Sequence, residues 1–363
     1  MKRDKWRIVP LGEICKLEYG NNLTDKMRNG GSVPVYGSAG IVGWHNKPLT
    51  KSPTLIVGRK GSVGNVFYSN VPCFPIDTTY YVEESVCKEN LRWLELFLSN
   101  FNLRQLNMAT AVPGLNRNIA HLIQIPLPPL EEQNQITTLF QSIEAAMGQV
   151  DGQVKNLKAL QKTLVNGLLS KEPVFGNLLK SKNCTVTNFG EIAECDKKYP
   201  EHEKEVERFV GLEFIEADNF QLQGFGVVAN GTTFTKRFAS GDILFGKRRA
   251  YLKKVAVAHF DGICSSDILV IRAKANKMLQ ELLPYYISAD AFIQHAVSTS
   301  AGSLSPRTKW KDLALLGISI PDIKTQQRIL EVLKLLETTI NQIKEQNSNL
   351  RNLKTKLLHE ILN

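Results

Sequence analysis

The stretch Gly58-Arg59-Lys60-Gly61-Ser62-Val63-Gly64 sets two adjacent cations and a hydroxyl among three glycines. Glycine lets a backbone approach a ligand closely, and guanidinium or ammonium groups meet phosphate oxygens and guanine edges. One reading is therefore a loop that closes on a nucleic acid. The other is a hairpin turn whose charges face water. A nucleotide-binding P-loop is excluded, because G-x-x-x-x-G-K-[ST] is absent. A second cluster gathers Lys247, Arg248, Arg249, Tyr251, Lys253 and Lys254. Cations around an aromatic ring suit DNA, or RNA, better than an ordinary solvated face. Tyr36, Gly37 and Ser38 in VYGSAG form either a recognition turn or a plain β-turn. Arg117 in GLNRN and Arg307 in SLSPRTKW occupy similar places ahead of two long helical patterns, as phosphate contacts or as structural ion pairs.

Chemistry beyond binding finds little support. His45, His121, His202, His259, His295 and His359 are spread singly, and Cys15, Cys73, Cys87, Cys184, Cys195 and Cys264 form no C-x-x-C pair or zinc-ligand cluster, so no metal is expected. The cysteines read as reduced and mostly buried. PLPPL at 126–130 lacks the amide or acid and the aromatic of an adenine-methyltransferase tetrapeptide, and no Walker A sequence for translocation or carboxylate-lysine nuclease pattern is evident. No catalytic residue is expected, and the chain is read as one that binds and positions. Its 45 Lys and Arg against 35 Asp and Glu, with a pI near 9.2, call for a polyanionic partner. The segments 131–170 and 322–363 hold ten basic and nine acidic residues, so the excess lies outside them. MKRDKWRIVPLGEIC has no apolar signal-peptide core and no run is apolar enough for a membrane, so the expected location is the cytoplasm, with no membrane partner.

The elements that position these cations are repeated. IPLPPLEEQNQI at 125–136 returns 193 residues later as ISIPDIKTQQRI at 318–329, with Ile125/Ile318, Pro128/Pro321, Gln133/Gln326 and Ile136/Ile329 identical. Heptad-spaced apolar residues follow each copy, at Ile136, Ile143, Val150, Leu157 and Leu164 and at Ile329, Leu336, Ile343, Leu350 and Leu357. A second seam, shifted by four, runs through Phe140, Met147, Val154 and Leu168 and through Leu333, Ile340, Asn347 and Ile361. Two uninterrupted helices pairing as a coiled coil are expected, with prolines only ahead of them. Two globular blocks alternate with the helices. Both open alike, PLGEI and NFGEI; both hold glycine-broken β-branched runs, at 54–69 and 242–260; both end in helical stretches, ENLRWLELFLSNF and KMLQELLPYYISADAFIQHAV. Antiparallel helix pairing avoids returning the chain through roughly 60 Å. The expected class is α/β, in the α+β sense: two globular domains, 1–127 and 176–320, and two long helices, 128–175 and 321–363, in an antiparallel coiled coil with an approximate two-fold axis.

This layout, with PLPPLEEQ at 126–133 and, in the first globule, VPVYGSAGIVGWHNKP, IVGRKGSVGNVFY and PIDTTYYV, resembles the specificity subunit of type I restriction-modification systems. The second copy departs from the signature at Asp322 and Lys324, which stand where the first has Pro129 and Glu131. The resemblance implies two target-recognition domains, each reading one half of a bipartite double-stranded DNA site. It also implies two methyltransferase (modification) subunits docked on the helices and carrying S-adenosylmethionine, which restriction/translocase subunits using ATP and Mg join in some systems. No cofactor is expected on this chain. The competing readings are a coiled-coil adaptor with incidental basic globules, which would ignore DNA sequence, and a self-contained DNA-modifying enzyme, which would act without partners.

Overall fold

The computed structural model describes residues 6–51, 53–106, 114–170, 184–196 and 206–362, and the chain divides into two compact units, Met1–Asp151 with Glu345–Asn363 and Gly152–Lys344. In chain order the first part runs β1 (Arg7–Pro10), α1 (Leu11–Ile14), β2 (Glu18–Tyr19), β3 (Val33–Gly37), β4 (Gly40–His45), β5 (Thr54–Gly58), β6 (Val66–Ser69), β7 (Phe74–Pro75), β8 (Thr79–Glu83), α2 (Leu91–Asn100), α3 (Arg117–His121), β9 (Gln124–Leu127) and the long α4 (Leu130–Gly167). It continues with β10 (Cys184–Asn188), α5 (Phe189–Ile192), β11 (Ala193–Cys195), β12 (Arg208–Val210), β13 (Gly226–Val227), β14 (Lys236–Phe238), β15 (Ile243–Gly246), β16 (Val255–Val257), β17 (Gly262–Cys264), β18 (Ile268–Ala273), α6 (Leu283–Ser288), α7 (Asp290–Ser298), α8 (Trp310–Leu313), β19 (Gly317–Pro321) and the long α9 (Ile323–Leu362).

The duplication extends to strand order. One sheet runs β2-β8-β5-β6 in the first unit and β11-β18-β15-β16 in the second. In each unit the middle hairpin is the expected one, β5 with β6 and β15 with β16. A smaller sheet pairs β3 antiparallel to β4 and parallel to β7, matched by β12 antiparallel to β13 and parallel to β17. β14, antiparallel to β17, is an addition in the second unit. Antiparallel pairs β1 with β9 and β10 with β19 join the start of each globule to the strand that precedes its long helix.

β5 and β15 are buried along their whole length, which is why TLIVG and ILFG are continuous apolar runs rather than alternating ones. Leu55, Val57, Tyr80 and Val82 pack with Trp93, Leu94 and Phe97 of α2 and with Ile136 and Phe140 of α4. In the second unit Phe245, Ile271 and Phe292 share a core with Val165 of α4, with Leu168 just beyond it and with Ile329 and Leu333 of α9. The expected helical stretch KMLQELLPYYISADAFIQHAV is broken. Residues 277–282 form turns, α6 starts with Pro284 in its first turn, and Ala289, with ψ 141°, separates it from α7. Proline lacks an N–H and is at home only in the first helical turn, so the helix begins there instead of running through it.

The seams of α4 and α9 are present. All ten first-seam residues are buried or half-buried. Pairing is antiparallel within each unit. In the first unit Lys354 reaches Glu144 at 2.6 Å and Arg351 reaches Asp151 at 3.1 Å, and in the second Val165 and Leu168 share a core with Leu333 and Ile329. In the first unit partner numbers thus fall along α9 as they rise along α4. α4 ends at Gly167; the expected extension through 171–175 lies outside the described residues.

The repeated glutamine has the same task twice. Gln133 and Gln326 are fully buried. Gln133 Nε2 donates to Pro128 O at 2.9 Å and Gln326 Nε2 to Pro321 O at 2.9 Å. Their Oε1 atoms accept from Asn90 N and Leu279 N, both at 2.9 Å, ahead of the globule's own helices. Each glutamine thereby pins the start of a long helix to its globule. Asp322, a departure from the first copy, caps α9: its carboxylate accepts from Thr325 N at 2.8 Å, and this backbone hydrogen bond is the chief cause holding its carboxyl below the usual range.

Candidate nucleic-acid interface

In the first unit, β5 ends at Gly58 and the chain folds back sharply. A Cβ on Gly58 would lie 2.4 Å from Ser62 O, and Gly61 and Gly64 have φ of +75° and +77°, so a side chain at any of the three would be crowded or strained. Ser38, in the β3–β4 turn, ties this loop down: its Oγ accepts from Ser62 N at 3.3 Å and its carbonyl from Asn65 Nδ2 at 3.3 Å. The two motifs singled out separately in the sequence thus form one composite loop. Gly37 is buried, and the Tyr36 ring packs against Phe67 and lies 9% exposed, with burial pushing its phenol up.

Arg59 and Lys60 both donate their backbone N–H to Thr78 O, and Arg59 O accepts from Leu115 N at 2.9 Å, so these cations sit on a strand-like segment extending β5. Lys60 is exposed and bridges to Gly114. The Arg59 guanidinium donates to Asp77 O at 2.9 Å and lies 4.8 Å from the Tyr19 ring centroid. Arg117, at the start of α3, lies 4.9 Å from the same ring. Tyr80 supports Tyr19 edge-on at 5.1 Å and donates its hydroxyl to Leu115 O; burial is the first cause pushing that phenol up to about 12. α3 is anchored by His121, whose Nε2 accepts from Leu17 N at 3.1 Å; burial, then the Arg117 charge, hold that imidazole below its usual value and favour the neutral acceptor. Two guanidiniums share one aromatic ring, and neither makes an ion pair among the described residues. Their planar forks suit a phosphate.

The second unit builds the same junction with other side chains. Lys247 N donates to Asp267 O and Lys247 O accepts from Thr308 N, as Arg59 does with Thr78 and Leu115; Arg248 bridges to Arg307, as Lys60 does to Gly114. Arg307 therefore corresponds to Gly114 rather than to Arg117, and the expected similarity of place between the two arginines is only approximate: Arg117 opens α3, whereas Arg307 precedes α8. Arg307 makes two bonds to the Asp267 carboxylate, Nε at 2.6 Å and Nη2 at 3.2 Å, with Arg248 3.6 Å from it. The Asp267 side chain is 15% exposed, and the Arg307 hydrogen bond, first among the causes, holds its carboxyl below the usual range.

Arg248 also donates twice to Ser305 Oγ, at 3.3 and 3.1 Å. Arg249 and Lys253 adopt left-handed backbone conformations, φ 53° and 50°, on either side of a single turn of 3-10 helix that exposes Tyr251. Such conformations cost side-chain-bearing residues energy and persist only where surroundings enforce them. Here Arg249 N donates to Pro306 O at 2.8 Å, and the Lys253 ammonium is paired with Asp290. Lys254 is similarly spent on Leu212 O at 2.6 Å. Lys247, Arg248 and Arg307 thus surround one carboxylate, while Arg249 turns to Leu304 O and Pro306 O. Tyr19, Asp267 and Ser305 were not singled out from the sequence, since each meets its arginine across 40 residues or more.

Among the described residues no group of three or more His, Cys, Asp or Glu is placed to hold a metal, and no helix is long and apolar enough to cross a membrane.

Two repeat-related α/β units, each with cations on a strand end and each built onto two long antiparallel helices, define a class of duplicated nucleic-acid reader. The family described as type I restriction modification DNA specificity domain matches the chain twice, over residues 3–156 and 181–352. The chain belongs to that family, whose members give a type I system its choice of DNA sequence. It is similar to the type I restriction enzyme EcoDI specificity subunit of Escherichia coli, at 24% identity over 385 residues, 95% of this chain and 84% of that protein. It is also similar to the MjaVIII specificity subunit of Methanocaldococcus jannaschii, at 22% identity over 72% of this chain and 66% of that protein. The fold aligns with the type I S subunit from M. genitalium at a TM-score of 0.59 and 15% identity, over 99% of this chain and 96% of that one. It aligns with the HsdS subunit from Thermoanaerobacter tengcongensis at 0.52 and 17%, over 99% and 97%.

Proposed function

We propose that residues 1–127 and 176–320 each read one half of a bipartite DNA site, while the helices, 128–175 and 321–363, set the gap and dock two methyltransferase subunits. Catalysis then belongs to the partner chains, which carry S-adenosylmethionine, and to ATP- and Mg-dependent restriction subunits where these join the complex in the cytoplasm. The observation that carries this reading is the recurrence of one backbone junction with two sets of cations, Arg59 and Lys60 against Thr78 and Leu115, Lys247 and Arg248 against Asp267 and Thr308. A shared scaffold with different side chains is what two different half-sites require, since phosphate contacts position and base contacts specify.

In the first unit Arg59, Lys60 and Arg117 are assigned to DNA, with Gly37, Ser38 and Ser62 shaping the loop and Tyr36 acting through its backbone. In the second the assignment is Lys247, Arg248, Arg249, Arg307 and the exposed Tyr251, with Lys253 holding the loop through Asp290.

The test is base-resolution mapping of adenine methylation in cells carrying the gene, lacking it, or carrying variants. A split motif that disappears on deletion is expected. Arg59→Ala with Lys60→Ala should relax or weaken one half only, and Arg248→Ala with Arg249→Ala the other, by about 1–3 kcal/mol for each base that is no longer read. Motif loss that does not sort by half overturns the division. Methylation that ignores the gene, even with the chain and its methyltransferase overexpressed, overturns the function.

A further inference from the structure

Residues 301–307 form a closed hairpin. Ala301 N donates to Arg307 O and Arg307 N to Ala301 O, both at 3.0 Å, and Gly302, at φ +107°, supplies the turn. Leu304 stands at its apex with 89% of its surface exposed. A lone exposed leucine is ordinary. This one is held: Arg248 donates twice to Ser305 Oγ, Arg249 N donates to Pro306 O at 2.8 Å, and Arg249 Nη2 reaches Leu304 O at 3.4 Å. A loop closed by one bridge and tied down at Ser305 and Pro306, with an apolar apex, therefore lies beside the cations assigned to DNA.

We propose that Leu304 reads the C5-methyl group of a thymine in the half-site bound by the second unit, an inference that rests on the DNA-reading assignment above. The thymine methyl is the apolar feature that the major groove displays. Arg248, Arg249 and Arg307, at the base of the hairpin, are placed to meet phosphates or guanine edges while the tip enters the groove. Leucine offers a phosphate nothing, so its place among cations is accounted for by an apolar target. Specificity would come from excluding water between two apolar groups, which a cytosine or a purine at that position cannot reproduce.

The experiment uses the full chain in complex with its methyltransferase subunits and duplexes carrying the mapped split site. Each thymine is replaced singly by deoxyuridine, which removes only the methyl group. For the wild-type complex, one replacement in the second unit's half-site is expected to weaken binding roughly fourfold, the worth of one buried methyl. Leu304→Ala should weaken the parent site by a similar or larger factor and make that deoxyuridine neutral, whereas Leu304→Met, which keeps an apolar tip, should retain most of the discrimination. Unchanged melting temperatures would exclude a folding effect, as expected for so exposed a side chain. The proposal is overturned if no deoxyuridine in that half-site matters, or if its effect and that of Leu304→Ala simply multiply. A complex that prefers no DNA sequence at all would sink the DNA-reading assignment, and this inference with it.

Discussion

Gln133→Leu nearly conserves volume but removes bonds to Pro128 O, Asn90 N and the Glu89 carboxylate, the last at 2.6 Å. Glu89 can turn to water. The other two groups lose their partner in a buried place, at about 1–3 kcal/mol each. A loss of roughly 2–6 kcal/mol in the first unit is expected, and the same in the second for Gln326→Leu, which deprives Pro321 O, Lys277 O and Leu279 N. Because two units need not unfold together, the measurement is native-state hydrogen exchange: Asn90 and Leu279 amides should lose protection selectively in the matching variant. Equal protection in both variants would show that the glutamines are replaceable filler. The pair is visible in the sequence as an identity at 133 and 326, yet its work is not, because the partners lie 43 and 47 residues away. The same distance hid Tyr19 from Arg59 and Asp267 from Arg307, while local loops such as Gly58–Gly64 were legible from glycine spacing alone.

Three helices of the first unit meet at one charge cluster. Arg92 of α2 bonds Glu144 of α4 at 2.6 Å, Lys354 of α9 bonds the other oxygen of Glu144 at 2.6 Å, and Arg92 lies 3.1 Å from Glu95. The two carboxyls respond oppositely. Burial, the largest influence on both, wins at Glu95, whose Oε2 has ion-pair distance to Arg92 without hydrogen-bond geometry, and pushes that group up. At Glu144 burial is outweighed by the Lys354 hydrogen bond and the Arg92 and Lys354 charges, so the carboxyl is held down. A depressed carboxyl stabilises the fold above its unfolded value, 4.5, and that contribution is lost as pH falls through its folded value; a raised one does the reverse, stabilising below 4.5 and losing that contribution as pH climbs through its folded value. Melting temperature against pH should therefore show Glu144→Gln blunting the acid-side decline and Glu95→Gln raising stability at neutral pH. A neutral-pH loss on Glu95→Gln would mean that the Arg92 contact outweighs burial. At this scale the chain was most legible in its helices: a heptad seam is a local, repeated signal, and α4 and α9 start within two residues of their expected positions. Strand pairing was less so. Hairpins β5–β6 and β15–β16 follow from adjacent runs, whereas β1 with β9 and β10 with β19 join segments more than a hundred residues apart, which no periodicity announces.

α4, of 38 residues, and α9, of 40, each contribute to both compact units, so helix length is the variable through which the whole molecule should choose its DNA gap. A seven-residue insertion in both helices, within 152–164 and 334–344, adds about 10 Å of rise while returning every side chain to its own seam. Near the cut lies a polar layer that a slipped register would break: the half-exposed carboxylate of Asp151 meets the Asn347 amide and Arg351. The expected outcome is a split methylation motif with both halves unchanged and the gap longer by about three base pairs, at 3.4 Å per step. A four-residue insertion in both, about 6 Å, should lengthen it by one or two base pairs but moves residues from one seam to the other, so it should also cost stability. A seven-residue insertion in one helix alone keeps that helix's seam apolar but shifts its pairing by a whole heptad, which breaks the Asp151 layer or forces a bulge, and should abolish modification at any gap. If the paired insertion is folded and active yet keeps the original gap, the helices are a scaffold for the methyltransferase and not the ruler, and spacing must be set within the globular domains themselves.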